Sequence, residues 1–373
     1  MTAASQPLPI RRADAFALRL PLCKPVLMAG VRLEHSDNLV VRLESESGAV
    51  GWGEVSAAPS HGGDTLPALR QAFELTLRPG LLGQDACQLG GLSAALSAQL
   101  SAGKSAATAV DMALYDLVGQ HLGVPAHVLL GGLRRETVEP LWLIGTGSQD
   151  SDLAEGRRRF DEGYRFFKLK VGVRPVDEEI ELALQLRKSL GPQVRLCADA
   201  NMGMNAEQAI RYAEGVREAG LQFFEQPLHK DDIAGLQRLI DTRLIAVGLD
   251  ESITSVEVLI RHAALGVQGG SLKTLKLGGV SGVVAAAQVC AAHAQRINLA
   301  GKIAETGIAS AALIHLAGVV PNVDWGVSPS HAYLAEDIVR QPVAPVQGLY
   351  TLSKAPGLGV EVNEALLSRH RVS

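Results

Sequence analysis

The spacing of apolar and polar positions changes twice along the chain. Over residues 1–60 the apolar residues alternate or run in β-branched stretches, as in ALRLPL (17–22) and NLVVRLES (38–45), which predicts strands. SESGAVGWGEV (45–55) carries the glycine of a hairpin turn. Between those strands, PLCKPVLMAGVRLEHSD (21–37) mixes Pro, Gly, Met and charge and predicts a long loop, either a functional lid or a disordered insertion. VSAAPSHGGDT (55–65) predicts a second loop. From Leu66 to about Leu130 apolar residues recur at three- and four-residue steps, which predicts helices over 66–83 and 105–123, the second stopped by Gly123 and Pro125. Strands followed by helices, without alternation, predict an α+β capping domain over residues 1–132.

From Val138 onward strand and helix alternate. Apolar runs at 138–145, 166–171, 194–198, 221–224, 244–249, 270–275, 297–303 and 322–327 give eight candidate strands. Amphipathic stretches such as DEEIELALQLRKSL (177–190) and AEQAIRYAEGVREAG (206–220) separate them. Eight such units predict a modified (β/α)8, TIM-like barrel over residues 133–341, and no GxGxxG follows an early strand to favour a dinucleotide fold. After Pro342 the alternation stops, and residues 342–373 are expected to return to the cap with further strand and loop.

Composition narrows the partners. The chain has 373 residues, 47% apolar and 20% charged, with a net charge of −4 and no basic block, which argues against nucleic acid. Cys23, Cys87, Cys197 and Cys290 lie far apart without metal spacing, as expected of reduced thiols. The N-terminus lacks a signal-peptide core, and IASAALIHLAGVV (308–320) is too short to cross a bilayer. A cytoplasmic protein with no membrane partner is expected.

The candidate chemistry lies between Lys168 and Asp250. Four apolar runs there end in charge: FFKLKVG, VRLCADAN, LQFFEQP and LIAVGLDES. Glu225 follows Asp199 by 26 residues, and Asp250 follows Glu225 by 25. A βαβ unit needs about 30 residues, so these acids are expected at the C-terminal ends of successive parallel strands. Three oxygen donors without His or Cys suit Mg²⁺ or Mn²⁺, whereas any one acid alone could simply cap the next helix.

Lys168 and Lys170 share one strand face, opposite the apolar Phe167, Leu169 and Val171, so both are expected to point into the barrel. Neighbouring positive charge there should lower a lysine pKa toward the range of a general base. On the sixth candidate strand Lys273 is the inward lysine, expected to face Lys170 across the barrel mouth. Lys276, beside the Gly278-Gly279 turn, reads most simply as a surface or loop lysine. Glu305, in GKIAETG, could hold a lysine or a substrate group, or cap the next helix.

Together GAVGWGEV, KLKVG, ADAN, EQP, DES, LKTLKLGGV, ETG and SHAYLAEDIV, in that order over nearly the whole chain, resemble the enolase superfamily, and within it the muconate-lactonising branch. The resemblance implies Asp199, Glu225 and Asp250 as magnesium ligands, Lys170 and Lys273 as opposed catalytic acid/bases, and Lys168 as partner of Lys170. It gives Lys276, Asn201, Glu251 and Glu305 supporting positions. The implied chemistry is Mg²⁺-dependent removal of a proton beside the carboxylate of a small-molecule substrate, through an enediolate, a pattern known for this superfamily. It also implies a homo-oligomer, dimer or octamer.

No His–Asp dyad of the mandelate-racemase kind accompanies the candidate strands, and His293 and His315 fall in helical stretches. Dipeptide epimerases carry Asp-x-Asp on the last strand, where Asp324-Trp325-Gly326 stands here, which counts against that substrate class. The leading expectation is racemisation or epimerisation of an amino-acid derivative. Muconate-type cycloisomerisation and dehydration of the succinylbenzoate-synthase kind are the alternatives. A Schiff-base aldolase would not need three metal-type acids, and a binding module would not depend on a metal. By fold analogy, specificity is expected from Lys24, Met28, His35 and His61 in the two N-terminal loops.

Overall fold

The computed structural model describes residues 7–28, 31–59, 63–100, 104–145 and 147–372. At the N-terminus β1 (Ile10–Met28), β2 (Val31–Ser45) and β3 (Val50–Ser56) form an antiparallel sheet. The helix Ser105–Leu122 lies against it at close range, because a Cβ on Gly51 or Gly53 would meet the carbonyls of Ala113 at 2.3 Å or Ala109 at 2.0 Å. The glycines of GWGEV are therefore a packing requirement.

The loop expected at 21–37 is instead a continuation of β1 and β2. His35 pairs with Pro21 and Leu33 with Val26, so residues 22–25 bulge out while the pairing resumes to Met28 and Val31. Prolines that would break a central strand are tolerated at a bulge in a two-stranded ribbon, which is why the loop-like composition misled. His61 lies outside the described residues, and of Met28 only the backbone is described.

The short strand β4 (Thr137–Val138) pairs with β13 (Tyr350–Thr351) from the tail, so the barrel proper begins later than 138. Its strands are β5 (Leu141–Ile144), β6 (Phe166–Lys170), β7 (Arg195–Asp199), β8 (Phe224–Glu225), β9 (Val247–Leu249), β10 (Gly269–Leu272), β11 (Arg296–Ala300) and β12 (Val327–Ser328). They form one eight-stranded parallel sheet in sequential order, and a parallel bridge from Pro140 to Val327 joins its first and last strands.

An aromatic plug fills the N-terminal end of the barrel. Trp325 stacks on Phe223 at 4.1 Å and 11°, beside buried Phe166, Cys197 and Leu141. Gly248 and Gly269 make room, since a Cβ on either would come within 2.6 Å of the Trp325 ring. Apolar packing thus closes one end and leaves the C-terminal rim to polar groups. Among the described residues no helix is long and apolar enough to cross a membrane.

Cap and barrel are joined by buried polar contacts. Glu54 of β3 accepts from the backbone N–H of Thr306 at 2.9 Å and of Ala309 at 3.2 Å, the Thr306 hydroxyl at 2.6 Å, and Asn38 Nδ2 at 2.8 Å. These donors lie at the start of the helix Gly307–Val319, and burial with Glu305 nearby pushes Glu54 up to about 8. The tail returns to β1, with Val372 N–H donating to Ala17 and Arg19 N–H to His370.

The same helix buries His315 against His127, Nδ1 to Nδ1 at 3.0 Å. A carbonyl can only accept, so His315 Nε2–H donates to Leu358 O at 3.3 Å, and its Nδ1 must accept the Nδ1–H of His127. Burial, with His127 alongside, depresses the His315 pKa to about 4. A histidine whose folded pKa lies below its unfolded value stabilises the fold above the unfolded value, about 6.5, and that contribution is lost as pH falls toward 4. A His315→Asn variant should therefore lose stability less steeply than the wild type between those pH values, by up to about 3 kcal/mol. Denaturant melts across that range check this, and parallel pH curves for the two proteins would refute it.

Candidate active site

Strand register brings Lys170, Asp199 and Glu225 together. Lys170 is the lateral partner of Asp199, and Asp199 of Glu225, while Asp250 directly follows β9, the neighbour of β8. Adjacent strands lie about 4.8 Å apart, so three carboxylates share one arc of the rim. Lys168 and Lys170 point inward as expected, with Phe167, Leu169 and Val171 in the core under the helices.

Each carboxylate is ion-paired with lysine. Lys168 Nζ contacts Glu225 Oε2 and donates to Asn298 Oδ1 at 3.3 Å. Lys170 Nζ lies 2.7 Å from Asp199 Oδ2, and Lys273 Nζ 2.6 Å from Asp250 Oδ2. Lys276 takes the other Asp250 oxygen and the Asp250 carbonyl, so it is not the surface lysine its place beside a Gly-Gly turn suggested. A short helix, Thr274–Leu277, turns it back into the site, and Thr108 of the cap ties this helix down by donating to Thr274 O at 2.9 Å.

The protonation of Lys168 runs opposite to expectation. Burial disfavours the ammonium of Lys168, but Glu225 and Asp199 outweigh it and raise its pKa. Lys273 is likewise raised, by Asp250 and Glu251 against burial. Burial lowers Lys276, with Lys273 adding repulsion. Among the acids, Asp250 is pulled well below the carboxylate range by its two lysines in spite of its burial, whereas burial and the neighbouring Asp199 and Asp250 push Glu225 up. The spacing of lysines along a strand could not show that carboxylates from the next strands point at them.

The cavity above these groups opens to solvent. Its walls add Asn201, Glu251, Lys302, Ser328, Ser330 and Tyr333 to the charged floor, with Leu141, Leu143, Leu275, Ile303 and Ala58 of the cap as the apolar part. Asn201 donates Nδ2 to Glu251 at 2.8 Å, and burial with nearby Asp250 raises Glu251 to about 7. Asn298 and Gln226 escaped sequence reasoning. Asn298 is fully buried and links Lys168 to the carbonyls of Trp325 and Gly326, and Gln226 Oε1 accepts from the N–H groups of Asp250 and Ser252 at 3.0 and 3.1 Å. A lone amide inside an apolar run such as INLA was the available signal.

Other expected residues lie elsewhere. Thr306 caps the helix after β11, while Glu305 is buried behind the cavity wall and raised to about 7 by that burial. Lys24 lines a smaller neighbouring cleft that shares Leu143, Ile303 and Tyr333 with the cavity. His35 is exposed on β2, outside the lining of the cavity. Asp324 is exposed at the opposite end of the barrel, and the last strand delivers Ser328-Pro329-Ser330 to the rim. The Asp-x-Asp comparison therefore belongs at those serines, where hydroxyls stand in place of acids.

The site suits a divalent cation chemically. Among the described residues no three His, Cys, Asp or Glu are gathered as a ready metal cluster, because the acids turn to lysines. Yet all three candidate donors are hard oxygens, and Asn201 Oδ1 and Glu251 Oε2 are buried beside them with no hydrogen-bond partner among the described residues.

Residues 12–131 match the family described as "Mandelate racemase / muconate lactonizing enzyme, N-terminal domain", and residues 152–366 that described as "Enolase C-terminal domain-like". The chain is 29% identical to the L-Ala-D/L-Glu epimerase of Bacillus subtilis (strain 168), covering 96% of this chain and 98% of that one. It is 30% identical to muconate cycloisomerase 1 of Rhodococcus opacus, covering 95% and 96%. The structure of a muconate lactonizing enzyme from Pseudomonas fluorescens, complexed with muconolactone, superposes with a TM-score of 0.93 at 26% identity over 98% of this chain and all of that one. Capping sheet and eight-stranded barrel agree with these matches, and the chain belongs to the muconate-lactonizing subgroup of the enolase superfamily, a group of enzymes.

Proposed function

We propose that this enzyme racemises or epimerises an amino-acid derivative by moving the proton beside a carboxylate between two lysines. The observation that carries this reading is the placement of Lys170 and Lys273 at the C-terminal ends of opposed strands of one ring, both lining a single cavity. Asp199, Glu225 and Asp250 would hold Mg²⁺ or Mn²⁺, with Asn201 and Glu251 in support. A divalent cation in that position supplies charge stabilisation for a substrate carboxylate that is gaining a second negative charge.

The chain's own groups then have distinct tasks. One lysine, as the amine, takes the α-proton, and the opposite lysine, as the ammonium, delivers a proton to the other face of the planar enediolate. Carboxylates engaged by a cation would leave Lys170 and Lys273 free to exchange protons with the substrate. Lys168 stays beside Lys170 on the inward face and adds fixed positive charge where the anion develops. Asn298 holds Lys168 in place. Leu141, Leu143, Leu275 and Ile303 keep the upper cavity apolar, which strengthens each of these interactions.

Similarity to muconate cycloisomerase keeps a second reading, in which one lysine moves a proton and the other only stabilises charge. Incubation of N-acyl amino acids, dipeptides and muconates in D₂O separates the two. A racemase returns substrate with deuterium at the α-carbon, whereas a cycloisomerase places it in product alone.

Lys170→Ala and Lys273→Ala should each lower the racemisation rate by about 10²–10⁴-fold, and each should exchange the α-proton of one enantiomer only. Full exchange of both enantiomers by both variants, followed by NMR, would exclude the two-base reading. EDTA should abolish exchange and Mg²⁺ restore it, while exchange that is indifferent to EDTA would exclude the metal-dependent mechanism.

A further inference from the structure

Lys170 and Lys273 reach the cavity by different routes. Lys170 is the last residue of β6, which is paired on its two sides with β5 and β7. Lys273 lies just beyond β10, and the short helix Thr274–Leu277 that follows it leaves the sheet. The position of Lys273 is therefore set by what holds residues 274–281. Among the described residues no hydrogen bond joins β6 to the cap, whereas this segment is held by the cap at both of its ends.

The contacts come from the helix Ser105–Leu122 and the apolar core beside it. Thr108 donates to Thr274 O at 2.9 Å, and the same carbonyl accepts the N–H of Gly279 at 2.9 Å. Leu275 is buried in the apolar core of the cap. One helical turn after Thr108, Asp111 is buried and accepts from the Ser93 hydroxyl, from the Ser281 hydroxyl at 2.7 Å and from Ser281 N–H at 3.0 Å. Gly279 has no side chain to cap the helix Val280–Ala292, and a Cβ there would meet Asp111 Oδ2 at 2.3 Å. Asp111 thus caps a barrel helix from the other domain. All these partners are donors, and burial pushes its carboxyl up against their pull.

We propose that Asp111 is a positioning residue for Lys273, through which the cap sets the proton-transfer group on one face of the substrate and leaves Lys170, on the other face, unaffected. Thr108 and Asp111 grip the segment from the cap side, while Lys273 and Lys276 leave it toward Asp250. The Asp250 backbone is held independently, by Gln226 at 3.0 Å. A shift of the segment moves Lys273 relative to the reacting carbon, and misplacement by about 1 Å costs about 10²-fold in rate. Strand pairing keeps β6 out of that shift. This inference deepens the proton-transfer reading and rests on it for the roles of the two lysines.

The test uses Asp111→Asn, which keeps the volume but replaces one acceptor oxygen by a donor, and Thr108→Val, which deletes only the hydroxyl. Exchange of the α-proton of N-acetyl-L-leucine and of N-acetyl-D-leucine in D₂O is followed separately by NMR, with Mg²⁺ present. The enantiomer that Lys170→Ala still exchanges is the one that Lys273 deprotonates. Asp111→Asn should slow that enantiomer about 10–100-fold and leave the other within about threefold of the wild type. Thr108→Val should move the ratio in the same direction by about threefold. Hydrogen-exchange mass spectrometry without substrate should show residues 273–282 of Asp111→Asn exchanging about tenfold faster, with residues 166–171 unchanged.

Equal slowing of both enantiomers, or wild-type protection of residues 273–282 in folded Asp111→Asn, would overturn the assignment. If Asp111→Asn does not fold, Thr108→Val decides, and an unchanged enantiomer ratio there would overturn it. Hydrogen exchange needs no substrate, which keeps the two proposals apart. Lysine variants that fail to divide the enantiomers would sink the proton-transfer reading alone, and the protection of residues 273–282 would then decide the role of Asp111.

Discussion

Charge held at the barrel rim is the constraint from which the rest of the molecule follows. Lys168, Lys170, Lys273 and Lys276 share a small, largely buried volume with Asp199, Glu225 and Asp250. Isolated there, any one of these charges would cost several kcal/mol, and removing one partner of such a pair typically costs about 3–5 kcal/mol. The groups are tolerable only as a set, and the set exists only if β6 to β10 keep their register. A one-residue slip in β6 would turn both lysines into the helices and bring Phe167 and Leu169 into the barrel. The stacked Trp325 and Phe223, seated over Gly248 and Gly269, oppose such slips by anchoring the far end of the same strands.

The second constraint is that the cap must sit over this rim. Glu54 reaches from the N-terminal sheet into the start of the helix Gly307–Val319, directly after the segment that carries Lys302 and Glu305. Thr108 similarly ties the long cap helix to Thr274, beside Lys273. The contacts that join cap to barrel are therefore within a few residues of the groups that line the cavity. Cap placement and cavity shape are one structural problem in this fold, and the apolar wall around Ile303 and Leu143 is part of its solution.

Much of this was legible in the residues, for identifiable reasons. The 26- and 25-residue spacing of Asp199, Glu225 and Asp250 reflects one strand–helix unit per step, and alternation along FFKLK dictates which face each side chain takes. Lys276 was misread because its position beside a Gly-Gly pair says nothing about the helical turn that brings it back to Asp250. The pKa direction of Lys168 was misjudged because it depends on carboxylates from other strands. The ribbon of β1 and β2 was hidden by prolines that a bulge accommodates, and Asp324 was placed at the wrong end of a strand whose start was taken too early. Asn298, Gln226 and Lys302 were missed for a common reason. Each acquires its meaning from neighbours on other strands.

The central proposal is that Asp199, Glu225 and Asp250 together would hold one divalent cation. Binding of Mn²⁺ followed by electron paramagnetic resonance tests this most directly, in the wild type and in Asp199→Asn, Glu225→Gln and Asp250→Asn. The account predicts one tightly bound ion per chain in the wild type, displaced by Mg²⁺, and strongly weakened binding in each of the three variants. Tight binding that survives all three substitutions, or a folded wild-type protein that binds no Mn²⁺, would contradict it.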